Sequence, residues 1–262
     1  MKTTNIDLVY FSATYTTKKV VQLIAEQIGG KITKYDITQD APDTDIVLEN
    51  QNLLIVGMPV YAGRIPSKAL TAINRFTSNG NPAIVVCVYG NRDYDDALLE
   101  LKDIVEKNGF KTVSAGAFIA QHSIFPAVGS NRPDGDDITK IKAFADKSAE
   151  LLKSITDTSS LSGLKVKGNH PYKIPGGIPL QPKGNRKCNE CGTCVKSCPI
   201  QAIPQNTPRK TIKEKCISCG RCIVVCPQKA RHFGGLLYKI AGKKFIKAYS
   251  ERKEPELVYC SV

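Results

Sequence analysis

The chain of 262 residues carries 37 Lys and Arg against 24 Asp and Glu, and 42% of its residues are hydrophobic, with a mean hydropathy of −0.20. This composition excludes a disordered chain and a membrane-spanning one, because the apolar content suffices for a packed core and no apolar run approaches the length of a membrane span. Residues 1–155 carry 17 basic and 18 acidic side chains, whereas residues 156–262 carry 20 basic and 6 acidic ones. The sequence therefore predicts two domains with different roles.

Residues 1–157 alternate between strand-like and helix-like segments. Apolar runs predict five strands, at residues 6–11, 31–37, 53–58, 83–89 and 113–120. Apolar side chains at helical spacing predict four helices, at residues 17–28, 67–76, 95–107 and 137–155. Strands that alternate with helices and show no polar alternation of their own imply an α/β fold, with a parallel sheet covered on both faces.

The segment after the first predicted strand, FSATYTTKKVV (residues 11–21), is rich in hydroxyl side chains and leads into a helix. Open parallel sheets bind ligands beyond the carboxyl ends of their strands, and a helix N-terminus there favours a phosphate. Ser and Thr before a helix also act as ordinary caps. On its own, this loop is compatible with both interpretations.

Two further loops contain tyrosines and follow the next two buried strands. They read GMPVYAGRIP (residues 57–66) and YGNRDYDDAL (residues 89–98). Aromatic loops beside a phosphate loop suggest a ligand with a planar ring and a phosphate tail. Surface aromatic side chains are the simpler alternative for each tyrosine.

Residues 1–157 resemble a flavodoxin domain, a family that binds FMN non-covalently. Its first loop reads approximately S/T-x-T-G-N-T, which aligns here with Ser12, Thr14, Thr16 and Thr17. Tyr15 stands in place of the glycine and Thr16 in place of the asparagine. The resemblance implies a flavodoxin-like five-stranded parallel sheet in the order 2-1-3-4-5, with the FMN phosphate in this loop.

The same resemblance implies a position for the flavin ring. Tyr61 and Tyr94 are expected to flank the isoalloxazine, and Tyr89 is either part of the site or buried at a strand end. The neighbouring positions included in the predicted site are Pro59, Val60, Ala62, Gly63, Gly90, Asn91 and Asp95, together with Tyr15 in the phosphate loop.

Gly, Pro, Ser and Lys dominate residues 159–187, a composition that sustains neither a helix nor a central strand. We therefore place a linker at residues 158–185. It connects the first domain to a second one at residues 186–233.

The second domain contains a duplicated cysteine motif, KCNECGTCVKSCP (residues 187–199) and KCISCGRCIVVCP (residues 215–227). In Cys-x2-Cys-x2-Cys-x3-Cys-Pro, three cysteines surround one [4Fe–4S] cubane and the fourth ligates the neighbouring one. This crossed pattern predicts two clusters, one held by Cys188, Cys191, Cys194 and Cys226 and the other by Cys216, Cys219, Cys222 and Cys198. Zinc sites usually combine cysteine pairs or histidines, which fits this spacing poorly. Residues 186–233 resemble the small α+β two-[4Fe–4S] ferredoxins of bacteria.

The two cysteines outside the motifs and the three histidines are not predicted to bind a cofactor. Cys87 lies in an apolar strand and is predicted to pack in the core, Cys260 has no assigned partner, and the three histidines show no ligand spacing. Residues 234–262 predict a short amphipathic helix and an extended tail that packs back on the flavin domain. A membrane-surface helix is the alternative, and we do not expect membrane association.

Together these features predict an electron-transfer protein that relays electrons between FMN and two [4Fe–4S] clusters. The alternative is an FMN-dependent reductase that feeds electrons to a small substrate. The basic second half is expected to dock a redox partner protein with an acidic face rather than nucleic acid. No secretory signal pattern opens the sequence, so we expect a cytoplasmic protein with reduced thiols. The sequence indicates no particular oligomeric state.

Overall fold

The computed structural model describes residues 5–158, 161 and 163–261, and Ser159, Ser160 and Ser162 of the predicted linker lie outside the described residues. The strands are β1 (Asn5–Tyr10), β2 (Lys31–Asp36), β3 (Ile46–Val47), β4 (Leu53–Pro59), β5 (Phe76–Thr77), β6 (Pro82–Tyr89), β7 (Lys111–Ile119), β8 (Lys183–Gly184), β9 (Arg231–His232) and β10 (Glu256–Tyr259). The helices are α1 (Thr16–Ile28), α2 (Ser67–Ile73), α3 (Ala97–Lys107), α4 (Gly135–Ser154), α5 (Thr193–Lys196), α6 (Arg221–Val224) and α7 (Leu236–Tyr249).

The central sheet has the strand order β10-β7-β6-β4-β1-β2. The pairs β1–β2, β1–β4, β4–β6 and β6–β7 are parallel. When these five strands are counted along the chain, the order is 2-1-3-4-5, which is that of the flavodoxin-like doubly wound fold. The predicted fold class is confirmed.

The middle of the sheet is covered on both faces. Every residue of β4 (LLIVGMP) and of β6 (PAIVVCVY) is buried, as expected for parallel strands between two layers of helices. Helix α1 packs against β4 and α4, while α3 packs against β6 and β7. A Cβ on Gly57 would lie 2.3 Å from Val21 Cγ1, so the glycine lets α1 approach the sheet closely.

A sixth strand closes one edge of the sheet. Strand β10 pairs antiparallel with β7, from Glu256 opposite Ala117 to Tyr259 opposite Ser114. These residues belong to the predicted extended tail, because four residues reading ELVY show no periodicity that distinguishes a strand from a tail. Pairing with β7 supplies the hydrogen-bond partners that stabilise this short strand.

The two cysteine motifs form matched loops in the second domain. In each copy a short helix, α5 or α6, begins directly after a glycine with left-handed backbone, Gly192 at φ 76° and Gly220 at φ 79°. Residues with a Cβ adopt this conformation less readily, so glycine favours the turn at both positions. The antiparallel pair β8–β9 completes the domain.

The two domains are in extensive contact. Ile124 and Phe125, in the loop after β7, share a hydrophobic cluster with Leu180 of the linker, Phe233 of the second domain and aromatic residues of α7. The linker also lies against the first domain, where the backbone N–H of Lys173 donates to Asp96 Oδ2 at 2.6 Å. The segment predicted as a simple connection therefore packs along the first domain.

No helix within the described residues combines the length and the apolar character needed to cross a membrane.

Candidate functional site

A cavity lies beyond the carboxyl ends of β1, β4, β6 and β7, where flavodoxin-like folds bind their ligand. It contains about 420 Å³ of atom-free space, part of which is open to solvent. Eight residues of the site predicted from the sequence line this cavity: Thr14, Thr16, Thr17, Pro59, Val60, Tyr61, Tyr89 and Gly90. Six further residues complete the lining: Ala13, Val88, Ala120, Gln121, His122 and Ser123. The structure therefore brings together residues from all three predicted loops.

The hydroxyl groups of the first loop divide into two roles. Thr14, Thr16 and Thr17 line the cavity at the N-terminus of α1, where backbone N–H groups and the helix dipole favour an anion. Ser12 is buried, and its Oγ accepts a hydrogen bond from the backbone N–H of Lys18 at 3.0 Å. Ser12 therefore supports the first turn of α1 and does not line the cavity, contrary to the expectation.

Tyr15 adopts the backbone conformation that the glycine of the flavodoxin motif would adopt, with φ 67°. Its side chain is 48% exposed and does not line the cavity. The Cζ atom of Arg221 lies 4.7 Å from the centre of the tyrosine ring, a cation–π arrangement. The substitution of glycine by tyrosine thus creates a contact with the second domain.

Tyr61 lies between the cavity and the second cysteine motif. It lines the cavity, and burial raises the pKa of its phenol well above the usual value, with Cys219 near enough to contribute. Phe11 packs edge-on against it, with ring centres 6.4 Å apart. The prediction that Tyr61 covers one side of the ring site stays compatible with this placement.

Tyr94 is placed differently from its predicted position. It is 1% exposed, packs against Tyr89 and donates a hydrogen bond from its hydroxyl to Glu256 Oε2 at 2.5 Å. It does not line the cavity, so the expectation that Tyr94 stacks on the isoalloxazine is corrected. Strand β10 supplies the carboxylate that holds the tyrosine at the edge of the sheet, a contact between residues 162 positions apart.

Four other predicted residues also lie outside the cavity. Asn91 is buried and its side-chain amide donates to the backbone carbonyls of Tyr249 and Glu251, which fixes the segment before β10. Gly63 has φ 86°, and a Cβ there would overlap the carboxylate of Asp95. Ala62 lines a neighbouring crevice. These residues shape the loops around the site rather than its wall.

The loop after β7 also lines the cavity, although none of its residues belongs to the predicted site. Burial lowers the pKa of His122 to about 4, with the charge of Arg92 as a smaller cause, so the imidazole is neutral at physiological pH. Its Nδ1 accepts hydrogen bonds from the backbone N–H groups of Ile124 and Phe125, each at 3.1 Å. The proton therefore resides on Nε2 as a donor. This loop follows the carboxyl end of β7, so its place at the cavity agrees with the rule that open parallel sheets bind ligands at the carboxyl ends of their strands.

The eight motif cysteines line two separate cavities. Cys188, Cys191, Cys194 and Cys226 line one of about 290 Å³ of atom-free space, while Cys198, Cys216, Cys219 and Cys222 line the other, of about 310 Å³. Each cavity thus takes three cysteines from one motif and the fourth from the other, which is the arrangement that crossed ligation needs. We call them the outer cavity and the inner cavity, because Cys191 is exposed whereas Cys219 packs in the core of the first domain.

The thiols of the inner cavity are deeply buried. Burial raises the pKa of Cys219 to about 12 and that of Cys222 to about 11, and the charge of Arg231 opposes the shift at Cys222. Without a cation these thiols are protonated, whereas bound iron would keep them as thiolates. In the described residues, no three His, Cys, Asp or Glu side chains converge on a point suited to a single ion. A cubane instead binds each thiolate to a different iron.

The loop of the inner cavity touches the rim of the first-domain cavity. A Cβ on Gly220 would lie 3.4 Å from Thr14 Cγ2 and 3.5 Å from Ser123 Cβ. Beside it, the Nη1 of Arg221 donates to the carbonyl of Ala13 at 3.3 Å. Residues that line the inner cavity therefore lie directly against residues that line the first-domain cavity.

Residues 187–231 match the family model of the 4Fe-4S dicluster domain. This segment is a two-cluster iron–sulfur domain. The match confirms the predicted resemblance for this segment, and each of its two cavities is lined by four cysteines, the number of ligands that one cubane needs. Which cysteines ligate which cluster stays a prediction.

Several solved structures are similar to the first half of the chain. A flavodoxin from the domain Archaea is 14% identical, with 57% of this chain and 99% of that protein covered and a TM-score of 0.41. An NADH:FMN oxidoreductase in its apo form is 17% identical, with 59% and 92% covered and a TM-score of 0.45. A flavodoxin from Streptococcus pneumoniae is 17% identical, with 56% and 98% covered and a TM-score of 0.40. No curated protein sequence matches the chain. The fold assignment rests on the strand order itself.

Proposed function

We propose that the chain is an intramolecular electron relay, with FMN in the cavity of the flavodoxin-like domain and a [4Fe–4S] cluster in each cavity of the dicluster domain. FMN exchanges one or two electrons and a cubane exchanges one, so the combination converts between two-electron and one-electron chemistry. The observation that carries this proposal is the hydrogen bond from Arg221 Nη1 to the carbonyl of Ala13 at 3.3 Å, beside Gly220, because Arg221 lines the inner cavity and Ala13 lines the first-domain cavity.

The first-domain cavity has the features that FMN requires. Thr14, Thr16 and Thr17 offer hydroxyl groups at a helix N-terminus for the phosphate. Tyr61 and Tyr89 offer aromatic surface for the ring, and His122 offers an N–H donor. The phosphate end and the ring end thus differ in chemistry, which orients the ligand.

We predict that Thr17→Val weakens the binding of FMN about ten- to one-hundred-fold, the effect of losing a hydrogen bond to a charged group, worth about 1.5–3 kcal/mol. Valine keeps the shape of the side chain and removes only its hydroxyl. Riboflavin has no phosphate, so its affinity should not change. Fluorescence titration of both flavins would measure this, with Thr139→Val on α4 as the control. Equal weakening of FMN and riboflavin would contradict the assignment of the phosphate end.

The arrangement gives the two clusters different positions in the relay. Tyr61 and Cys219 lie between the flavin cavity and the inner cluster cavity. The outer cavity reaches the molecular surface at Cys191. We infer that electrons pass between FMN and a partner by way of the inner and then the outer cluster, or in the reverse direction.

The surface of the dicluster domain supports an acidic redox partner. Its exposed lysines are Lys187, Lys196, Lys210, Lys213, Lys215 and Lys229, and its exposed acidic residues are Glu190 and Glu214. Such a basic face attracts a negatively charged protein and steers its approach to the outer cluster. A reduced thiol pool favours assembly of the clusters, so we infer that the protein acts in the cytoplasm.

The relay is tested by slowing the step between the cavities. Gly220→Gln and Gly192→Gln impose the same left-handed backbone on a non-glycine residue, but only position 220 faces the flavin cavity, since nothing lies within 4 Å of a Cβ on Gly192. After rapid anaerobic addition of dithionite, flavin and cluster absorbance should equilibrate more slowly in the Gly220 variant only. Iron content would verify that both variants hold their clusters. Equal internal rates in both variants would refute the relay through this contact.

A crevice beside Tyr61 supports a second candidate, an FMN-dependent reductase. It encloses about 710 Å³ of atom-free space and is mainly apolar, with Ile65, Pro66, Pro175, Ile178 and Ile217 in its wall next to Cys216. A small planar acceptor could reach both the ring site and the inner cluster from there. Saturable oxidation of the reduced protein by a small acceptor would favour the reductase, whereas second-order reaction with all acceptors favours the relay.

A further inference from the structure

The side chain of Arg231 occupies the wall between the inner and outer cluster cavities. It lines both of them and is 2% exposed, the largest of the fully buried side chains. Strand β9 holds its backbone, through the pairing of Arg231 with Gly184. A guanidinium therefore lies at a point that both cluster sites share.

Neutral groups hold this guanidinium in place. Nη1 donates to the carbonyl of Pro208 at 2.7 Å and to that of Lys210 at 3.1 Å, and Nη2 donates to the carbonyl of Pro182 at 2.8 Å and to Thr211 Oγ1. Within the described part of the chain, no carboxylate forms an ion pair with Arg231, and its Nε has no hydrogen-bond partner. The positive charge is thus fixed but not neutralised by the protein around it.

A comparison of the two cysteine motifs shows that only the second copy has an arginine at this position. From its fourth cysteine the second motif reads CPQKAR (residues 226–231), and the first motif reads CPIQAI (residues 198–203). Arg231 therefore corresponds to Ile203, which is 4% exposed and packs against Cys194 and Cys222. A buried apolar residue suffices at this place in one copy, so packing alone does not require an arginine in the other.

We propose that Arg231 is a redox-tuning residue shared by the two clusters, which raises the reduction potential of both. Each reduction adds one electron and no proton to a site that already carries four thiolates, so the added negative charge is attracted to the guanidinium. Arginine keeps its proton across the accessible pH range, so this attraction does not vary with pH. This inference rests on the proposed function, because it requires a [4Fe–4S] cluster in both the inner and the outer cavity.

The test compares midpoint potentials of the anaerobically purified holoprotein, followed by electron paramagnetic resonance during redox titration. In Arg231→Met and Arg231→Gln, the equilibrium constant for reduction of each cluster should fall about ten-fold, equivalent to about 59 mV for one electron. Arg231→Lys keeps a positive charge and should retain most of the wild-type potential. Arg209→Met is the control, because Arg209 is exposed and also bonds the dicluster domain, through the carbonyl of Cys188. Its removal should shift the potentials far less.

Unchanged potentials in fully loaded neutral variants would overturn the proposal, as would a shift confined to one cluster. If neither neutral variant retains iron, the midpoint potentials of Thr211→Asp and Thr211→Asn are compared instead. The aspartate would form an ion pair with Arg231, which stays in the protein, whereas the asparagine would not. Thr211 lines only the inner cavity, so a direct effect of the new charge would act mainly on that cluster. If the proposal is correct, pairing of the aspartate with Arg231 lowers the midpoint potentials of both clusters relative to Thr211→Asn. Any other result counts against the proposal. Absence of iron from the wild type would instead refute the proposed function.

Discussion

Replacement of Cys198 by alanine should remove the cluster of the inner cavity, although Cys198 belongs to the first motif. Its Sγ accepts a hydrogen bond from Ala202 N at 3.3 Å and faces the cavity that Cys216, Cys219 and Cys222 line. A cubane that loses one of four thiolates is exposed to solvent and is readily degraded. Iron analysis should therefore fall from about eight to about four atoms per chain, with the other cluster intact.

Double replacements identify which cluster is lost. Cys198→Ala combined with Cys222→Ala should lose no more iron than either change alone, because both cysteines serve the inner cavity. Cys198→Ala combined with Cys194→Ala should lose both clusters. Cys226→Ala is the reciprocal variant, since Cys226 occupies the matching place and accepts from Ala230 N at 3.2 Å. The opposite pattern of iron loss would show that each motif encloses its own cluster.

The substitution Asp137→Asn should destabilise the protein strongly, by about 3–5 kcal/mol. Arg132 and Asp137 are 6% and 2% exposed, and the guanidinium Nε donates to Asp137 Oδ2 at 2.8 Å. Asparagine would leave the charge of Arg132 buried without its partner. Since Arg132 Nη1 also donates to the carbonyl of Lys253 at 2.7 Å, the change should loosen the segment before β10.

Thermal unfolding of the loaded protein, under anaerobic conditions, would measure this loss as a lower midpoint temperature. Glu150→Gln is a control on the same helix, because it breaks the exposed pair with Lys147, which is worth about 0–1 kcal/mol. The double replacement Arg132→Met with Asp137→Leu removes both charges and should recover much of the stability. A midpoint for Asp137→Asn equal to that of Glu150→Gln would show that the buried pair contributes little.

The sequence predicted the sheet well because each parallel strand is a local signal. The runs that form β4 and β6 are apolar throughout, and the helix periods between them are clear, so the order along the chain implied the layers. Strand β10 carried no such signal, because its stability depends on an edge of β7 that is 139 to 145 positions away in the chain. Long-range pairing of a short segment is not encoded in its own pattern.

In the candidate sites, too, features encoded locally were predicted and features that depend on distant residues were not. Cysteine spacing predicted two groups of four, because ligand geometry is imposed by the cluster and repeats along the sequence. Tyr94 was misplaced because its orientation depends on Glu256, which the resemblance to flavodoxins does not cover. His122 follows a predicted strand and could have been found, but its neutral state depends on burial by Phe125 of the same loop and by Phe245 of the distant helix α7.

The position of β10 in the sheet also bears on how the protein is made. The strand that covers β7 is synthesised only after all eight cluster cysteines, so the flavodoxin-like domain is interrupted in sequence by the dicluster domain. During translation the outer edge of β7 stays open until the iron-binding loops have left the ribosome. A gene fragment that stops at residue 157 would encode a sheet with an unpaired edge, available for association with other chains. Folding of the flavin site and assembly of the clusters are thereby linked through one continuous chain.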